Sequence, residues 1–562
     1  MQTQPRSTLS ELFKILRPFW PQLLAATLLG VLGGAAITAL LATINYSLHS
    51  DGGLQSGLLL GFAALCLLAL VGSIVADIGT NYVGQHVIAR LRKELGSKII
   101  SAPIEQIERY RSHRLIPVLT HDVDTISDFA FAFAPLAVSL SVCLGCLGYL
   151  ASLSLPMFLT TAVAIVIGSA VQYFARSKGI KGFFEARDEE DELQKHYRAM
   201  AEGAKELRIS RPRRFQHYSE RLQGSVERIC DIQVRSINQF VIAKGFGSTL
   251  FFIVIGVALA YQALWPSTDK ATLSGFILVL LYMKGPLEHL VGNLPIVSRA
   301  QVAFRRIAEL SQRFSSPEPH LLLKDDGRPA LPLDSLELRD LHYRYPTEDG
   351  GQGFAVGPLN LQLRRGEILF IAGDNGSGKT TLIKLLLGLY VPQQGQLLLN
   401  GQPIDDASRD DYRQLFTTIF ADYYLFEDLL KGSAEIPAEA NRYLQRLEIA
   451  DKVILDGHAY STTDLSTGQR KRLALVQAWL EKRPLLVFDE WAADQDPEFR
   501  RIFYTELLPE LRAQGKTLIV ISHDDRYFDI ADRLLRMSGG RVVELRDQRV
   551  GEDAPDRSAT AH

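Results

Sequence analysis

The sequence predicts a multi-domain chain: an all-α domain of six transmembrane helices, then an α/β P-loop domain. Three observations carry this expectation. Long apolar runs fill the chain before about Val291, whereas the part after Arg299 has the mixed patterning of a water-soluble domain. The polar connections between the runs alternate between long, basic ones and short, nearly uncharged ones. A glycine-rich stretch, Gly373-Asp374-Asn375-Gly376-Ser377-Gly378-Lys379-Thr380-Thr381, stands between a strand-like run at 368–372 and a helix-like run at 382–387. A chain of 562 residues is also too long for one hydrophobic core.

The apolar runs lie at 21–44, 56–78, 129–151, 156–174, 240–264 and 273–291, each near the ~20 residues that a bilayer requires. The first is too long, and too poor in a small-residue cleavage site, for a signal peptide. The third and fourth are separated only by Ser152-Leu153-Ser154-Leu155, which predicts a tight hairpin. Arg90, Arg92, Lys93, Lys98, Arg109, Arg111 and Arg114 crowd the second connection, and a comparable set from Arg176 to Arg211 crowds the fourth. The loops near Asp51, Ser154 and Thr268 carry only Lys270, so the positive-inside rule puts both termini and the long connections in the cytoplasm.

Residues 82–100 and 187–235 are rich in Ala, Leu, Glu, Arg and Gln, which predicts helices that continue the spans beyond the lipid, with turns at Pro103 and at Ser210-Arg211-Pro212. Such turns could dock on another domain, or the helices could simply be solvated. The four cysteines include Cys143 and Cys146, but their place in a lipid-type run makes them small buried residues rather than a redox or zinc pair. The 61 basic and 63 acidic residues give a net charge of −2, which offers no field for nucleic acid. The expected boundaries are 1–314 for the membrane domain with its extensions, 315–335 for a linker, 336–550 for the P-loop domain and 551–562 for a disordered tail.

In the second half, glycines at 373, 376 and 378 let backbone N–H groups turn towards phosphates, with the helix dipole behind them. Lys379 would reach the β and γ phosphates, and the Thr380 hydroxyl would hold Mg²⁺. Leu485-Leu486-Val487-Phe488-Asp489-Glu490 is an apolar strand ending in two carboxylates. Asp489 suits a metal-positioning role through bound water, and Glu490 suits the activation of water. Leu465-Ser466-Thr467-Gly468-Gln469 opens a helical run and makes a further anion site from a hydroxyl, backbone amides and a helix N-terminus.

With that motif in place the second half resembles the ATP-binding-cassette family, whose signature usually reads Leu-Ser-Gly-Gly-Gln. The resemblance implies ATP hydrolysis coupled to transport, and a signature that closes over the phosphate loop of a second subunit. Ser466, Thr467, Gly468 and Gln469 would thus face a partner's γ-phosphate, with Thr467 departing mildly from the usual Gly. Tyr345 resembles the aromatic that stacks on adenine, His523 the switch histidine at the γ-phosphate, and Asp494 the aspartate of the turn after the Asp-Glu strand. One departure is larger: Ala421 occupies the place of the family's metal-directed Gln and offers no ligand.

The segments Phe420-Ala421-Asp422, Leu465-Ser466-Thr467-Gly468-Gln469-Arg470-Lys471-Arg472-Leu473 and Asp489-Glu490-Trp491-Ala492-Ala493-Asp494-Gln495-Asp496-Pro497 are similar to those of the cyclic-peptide exporters. Residues 202–207 and 516–528 add to the likeness. That family moves siderophore precursors, lipopeptides and small antibacterial peptides out of the Gram-negative cytoplasm. The resemblance implies an exporter-type fold, a homodimeric half-transporter in the inner membrane, ATP and Mg²⁺ as cofactors, and a peptide cargo. An importer on the same fold, and a membrane-anchored ATPase that senses without transporting, remain open. Asp77, Lys244, Lys284, Glu288 and His289 lie in or near the spans and could line a cargo cavity, although the lysines could instead snorkel to an interface.

Overall fold

The computed structural model describes residues 20–49, 56–110, 112–264, 270–314, 316–321, 331–346, 353–429 and 436–547. The basic N-terminal residues Arg6, Lys14 and Arg17, Arg111, the loop residues Asp51 and Thr268, the turn at 325–329 and the tail at 551–562 lie outside these. The chain divides into two compact units, one formed by Met1–Ala102 with Gln106–Ser316 and the other by Pro103–Glu105 with Pro317–His562.

The described residues of the first unit are almost all helical. Its principal helices are α1 (Trp20–His49), α2 (Ser56–Ile100), α3 (Val123–Leu153), α4 (Leu155–Glu202), α5 (Gln223–Leu264), α6 (Lys270–Gly292) and α7 (Leu294–Arg313). Among the described residues, six helices of this unit are long and apolar enough to cross a membrane. The expected hairpin is a break at one residue: Ser154 is extended, and Pro156 restarts the helix in a first turn where a missing N–H costs nothing. The helices α2 and α4 run unbroken for 45 and 48 residues, well beyond a hydrocarbon core. The expected turns also form, after Ala102 and around Ser210, whose hydroxyl caps the short helix Arg211–Phe215 by accepting from the Arg213 N–H at 3.4 Å. Two π-helical turns, Val118–Asp122 and Gln216–Leu222, were not legible in the sequence; the first directly follows Pro117, which lacks a backbone N–H.

A buried apolar cluster joins α1, α3, α4, α5 and α6 through Leu41, Leu150, Met157, Phe251, Phe276 and Met283, and takes in Cys143 and Cys146. Outward-facing side chains such as Leu60 (73% exposed) and Tyr173 (71%) leave a broad apolar surface of the kind that lipid or another subunit covers. Outside the expected spans, an ionic network ties three helices together. Arg187 of α4 meets Asp122 at 3.1 Å and Arg306 of α7 meets it at 3.6 Å, while Arg306 also pairs with Asp191 and Arg187 with Glu190. These extensions are therefore not simply solvated charged helices.

The second unit carries strands β1 (Ser335–Arg344), β2 (Ala355–Arg364), β3 (Ile368–Gly373), β4 (Gln394–Leu399), β5 (Gln402–Pro403), β6 (Phe416–Ile419), β7 (Leu455–Asp456), β8 (Ala459–Tyr460), β9 (Leu485–Asp489), β10 (Thr517–Ile521), β11 (Arg533–Ser538) and β12 (Arg541–Asp547). A six-stranded sheet has the order β12-β11-β3-β10-β9-β6, and β11, β3, β10, β9 and β6 are mutually parallel. An antiparallel sheet has the order β2-β1-β4-β5, and β7 pairs with β8. Alternate residues of the central strands feed separate cores: Phe370, Phe488 and Val520 on one face, Ile371, Val487 and Ile519 on the other. A sheet covered on both faces explains why these strands read as continuous apolar runs.

Candidate active site

Parallel strands deliver their chemistry at one edge, and here three neighbouring strands end together. β3 runs into the glycine-rich loop and then into α8 (Lys379–Leu386). Gly373, Gly376 and Gly378 have φ of 148°, 77° and 102°, where L side chains are strained. A Cβ on Gly373 would also stand 2.3 Å from the Met537 carbonyl oxygen. Asp374, Asn375, Gly376 and Thr380 are exposed, whereas Ser377, Gly378, Lys379 and Thr381 are buried. The Lys379 ammonium donates to the carbonyls of Gly373 at 2.8 Å and Asp374 at 3.1 Å, which poises it over the loop. The Ser377 hydroxyl is buried without a hydrogen-bond partner among the described residues, an arrangement that an incoming phosphate oxygen would relieve.

Tyr345 sits beside the loop, its hydroxyl 3.0 Å from Thr381 Oγ1 and its ring edge-on to Tyr343 and Tyr390. The resemblance implies only a ring that stacks on adenine; the hydroxyl adds an anchor onto α8.

At the end of β9, Asp489 is 3% exposed. Burial, and then the charge of Glu490, push its carboxyl up to about 6, against a backbone hydrogen bond from Ala421 and the charge of Lys379. The next residue, Glu490, takes a left-handed backbone with φ 50°. Its Oε1 lies 3.0 Å from His523 Nε2 beyond the end of β10. The register that pairs Ile521 with Asp489 produces this meeting. Ala421 is exposed just past β6, the neighbour of β9, and the charge of Asp422 also reaches Asp489. Thus Lys379, Asp489, Glu490 and His523 gather at one edge of the sheet.

The signature residues are held differently. Ser466 caps α9 (Thr467–Leu480), accepting from the Gln469 N–H at 3.4 Å, while the Gln469 side chain accepts from the Ser466 N–H at 3.3 Å. Ser466 and Thr467 are exposed, and Gln495 donates to the Gly468 carbonyl at 3.1 Å. Among the described residues, the hydrogen bonds of Ser466, Thr467, Gly468 and Gln469 run within the motif, along α9 and to Gln495, and none reaches the phosphate loop. Sequence reasoning missed Lys471 and Gln495, which brace this region. Lys471 recurs with Leu475 and Ala478 at helical spacing on the buried face, which was the available signal.

For a cofactor, the loop's donors and Lys379 suit a polyphosphate, and the Thr380 hydroxyl with the Asp489 carboxylate are the oxygen ligands a hard divalent cation takes. Among the described residues no group of three or more His, Cys, Asp and Glu side chains could hold a metal by itself, so a cation here would complete its shell with phosphate and water oxygens.

Comparison with known proteins fits this geometry. The ABC transporter family matches residues 356–493, and the ABC transporter transmembrane region matches residues 22–283. The chain is 36% identical over 543 residues to the ATP-binding protein SyrD of Pseudomonas syringae pv. syringae, covering 94% of this chain and 96% of that one. The chain belongs to the ABC transporter family. It is also 24% identical to the ATP-dependent lipid A-core flippase of Chromobacterium violaceum, over 86% of this chain and 84% of that protein. A bacterial Atm1-family ABC exporter solved with ATP bound superposes with a TM-score of 0.74 at 17% identity, covering 95% and 96% of the two chains, which establishes an exporter-type fold. This ABC transporter is a multi-pass membrane protein and an ATP hydrolase coupled to transport, with one membrane region and one ATPase domain per chain.

Proposed function

We propose that two copies of this chain form a homodimer in the bacterial inner membrane and export a peptide, such as a siderophore precursor, a cyclic peptide or a lipopeptide, into the periplasm. Residues 1–314 would form the pathway, 315–335 the linker and 336–550 the cytoplasmic cassette. The observation that supports the dimer is that, among the described residues, no hydrogen bond joins the signature to the chain's own phosphate loop. Ser466 and Thr467 are exposed on a braced helix start, ready for the nucleotide of a second copy.

In this reading Asp374, Asn375, Gly376, Ser377, Gly378 and Thr381 wrap the phosphates, and Lys379 neutralises them. The ring of Tyr345 lies against adenine. Thr380 and Asp489 would hold Mg²⁺, which would offset phosphate charge. Glu490 accepts a proton from the attacking water, and His523 orients Glu490 and contacts the γ-phosphate. Ser466, Thr467, Gly468 and Gln469 of the second copy close over the same phosphate. Closure of the cassettes would draw the inner ends of the spans together and turn the pathway outward.

The motif likeness to the cyclic-peptide exporters supports a peptide cargo, and the similarity to SyrD extends through the membrane half, where cargo is selected. A lipid cargo is the second reading, favoured by the more distant likeness to lipid A-core flippases. Inside-out vesicles given ATP with either labelled peptides or labelled lipid test both. ATP-dependent peptide accumulation inside the vesicles is expected. Uptake by right-side-out vesicles alone would make the protein an importer, and lipid movement without peptide movement would replace the cargo class.

A further inference from the structure

Lys471 lies one turn into α9, and its side chain is 3% exposed. Burial of this depth requires partners for the ammonium. Nζ has two of them: the carbonyl oxygen of Glu490 at 2.8 Å and Asp494 Oδ2 at 2.7 Å. The Lys471 carbonyl in turn accepts from Trp491 Nε1 at 2.9 Å, and Trp491 is fully buried.

These contacts bracket a strained residue. The left-handed backbone of Glu490 persists in a non-glycine residue only where the surroundings hold it. On one side its N–H donates to the Ile521 carbonyl at 3.2 Å; on the other its carbonyl accepts from Lys471. Both peptide units flanking the Glu490 Cα are pinned in this way. The direction of the Cα–Cβ bond is pinned with them, and that bond aims the carboxylate at His523.

We infer that Lys471 is a positioning residue for ATP hydrolysis, holding Glu490 in the backbone conformation that presents its carboxylate. The inference rests on the reading of Glu490 as the base and deepens it. It also explains how the signature and the base communicate. Gln495 donates to the Gly468 carbonyl, Arg472 Nε donates to Gln495 Oε1 at 3.1 Å, and a Cβ on Gly468 would stand 3.0 Å from the Asp494 carbonyl oxygen. The signature offered to a second copy's nucleotide and the base for the chain's own nucleotide therefore belong to one braced piece. Displacement of the signature reaches Glu490 through the Lys471 ammonium.

Lys471→Met keeps the buried stem and removes the ammonium. In purified protein it is expected to lower kcat at least about tenfold while the KM for ATP stays within about threefold, the split that marks a defect in the chemical step. In a Glu490→Gln background the same change should leave the residual rate within about twofold, because groups acting through one another are not additive. Lys471→Gln restores a donor and should lose less than Lys471→Met. Asp494→Ala alters a side chain that is 49% exposed, leaves Lys471 its bond to the Glu490 carbonyl, and should lower kcat in the same direction. The inference is overturned if Lys471→Met has near wild-type kcat, or if it weakens nucleotide binding as much as turnover. A further loss of the same size on top of Glu490→Gln would overturn it too. If Lys471→Met does not fold, wild-type kcat in both Lys471→Gln and Asp494→Ala overturns it. A different outcome, wild-type hydrolysis by Glu490→Gln alone, would remove the reading of the base on which the inference rests.

Discussion

Replacing Glu490 by Gln removes one charge and changes almost nothing else. The side chain is 35% exposed and makes its one described side-chain contact, 3.0 Å, with His523. Gln has the same length and keeps an oxygen for that contact. The backbone bonds to Ile521 and Lys471 do not involve the side chain. Stability should therefore change by less than about 0.5 kcal/mol, the usual range for exposed substitutions. The loss falls on proton transfer: an amide cannot accept the proton of the attacking water. General-base catalysis contributes about 10²–10⁴-fold, so the barrier should rise by roughly 3–5 kcal/mol. Nucleotide affinity should hold or improve, since a carboxylate near the phosphates is lost while Lys379 stays. Phosphate release from detergent-purified protein gives kcat, and a fluorescent nucleotide gives affinity on the same sample. A kcat within about threefold of wild type would remove Glu490 from the base role. Equal losses of rate and affinity would mean that the site had distorted.

Lys379→Ala should act in the opposite way, weakening nucleotide binding itself, because the ammonium that bridges the Gly373 and Asp374 carbonyls is the proposed phosphate counter-charge; the fluorescent-nucleotide titration reads this directly. Ala421→Ser should leave basal ATPase within about threefold, less than 1 kcal/mol in barrier, since an exposed alanine supplies its neighbour Asp489 only with a backbone N–H. Asp122→Ala should destabilise the membrane unit by about 3 kcal/mol, seen as a lower Tm, because it strips Arg187 and Arg306 of a shared buried partner while Glu190 and Asp191 remain. Replacing both Lys284 and Glu288 by Ala should change cargo-stimulated ATPase more than basal ATPase. The two pair at 3.8 Å, with Lys284 also over the Phe252 ring and Glu288 accepting from Ser248, so cargo would have to compete for them.

Features dictated by local chemistry were legible in the sequence. The glycines at 373, 376 and 378 announce positive φ, apolar runs of sufficient length announce spans, and helix-forming composition carried α2 and α4 past the lipid. The contact of Glu490 with His523 followed from two adjacent strand ends, although the strand order placing β10 between β3 and β9 is a long-range choice that no window of sequence holds. The ionic network needs positions 122, 187, 191 and 306 together, so the charges read singly as solvated faces. Tyr345 was legible as an aromatic, but its bond to Thr381 was not, because a hydroxyl's partner depends on packing. The backbone conformation of Glu490 had no sequence signal either: glutamate rarely takes it, and Lys471, the residue that pins its carbonyl, lies in a different element.

The network around Asp122 bears on how the membrane unit moves. A 45-residue helix is ~68 Å long, and with ~30 Å spent in hydrocarbon, α2 extends roughly 35 Å beyond the lipid. At the end of such an extension a tilt of about 10° displaces the tip by ~6 Å, so a small rotation within the bilayer becomes a large movement outside it. Independent extensions would bend and dissipate that movement. Asp122 just before α3, Arg187 of α4 and Arg306 of α7 join three of them through buried charges, and Ile88, Leu91 and Leu95 of α2 share a buried apolar cluster with Val123 and Ile126 of α3 and Ile307 of α7. Arg306 also donates to the Arg187 carbonyl at 3.4 Å, and Arg187 to the Pro117 carbonyl at 3.5 Å. Pulling any one helix away would leave charges unpaired away from water, at a cost of several kcal/mol. The extensions therefore move as a body, and the freedom that transport requires must lie elsewhere, at the breaks around Ser154, Gly203 and Ser210, where single residues leave helical geometry.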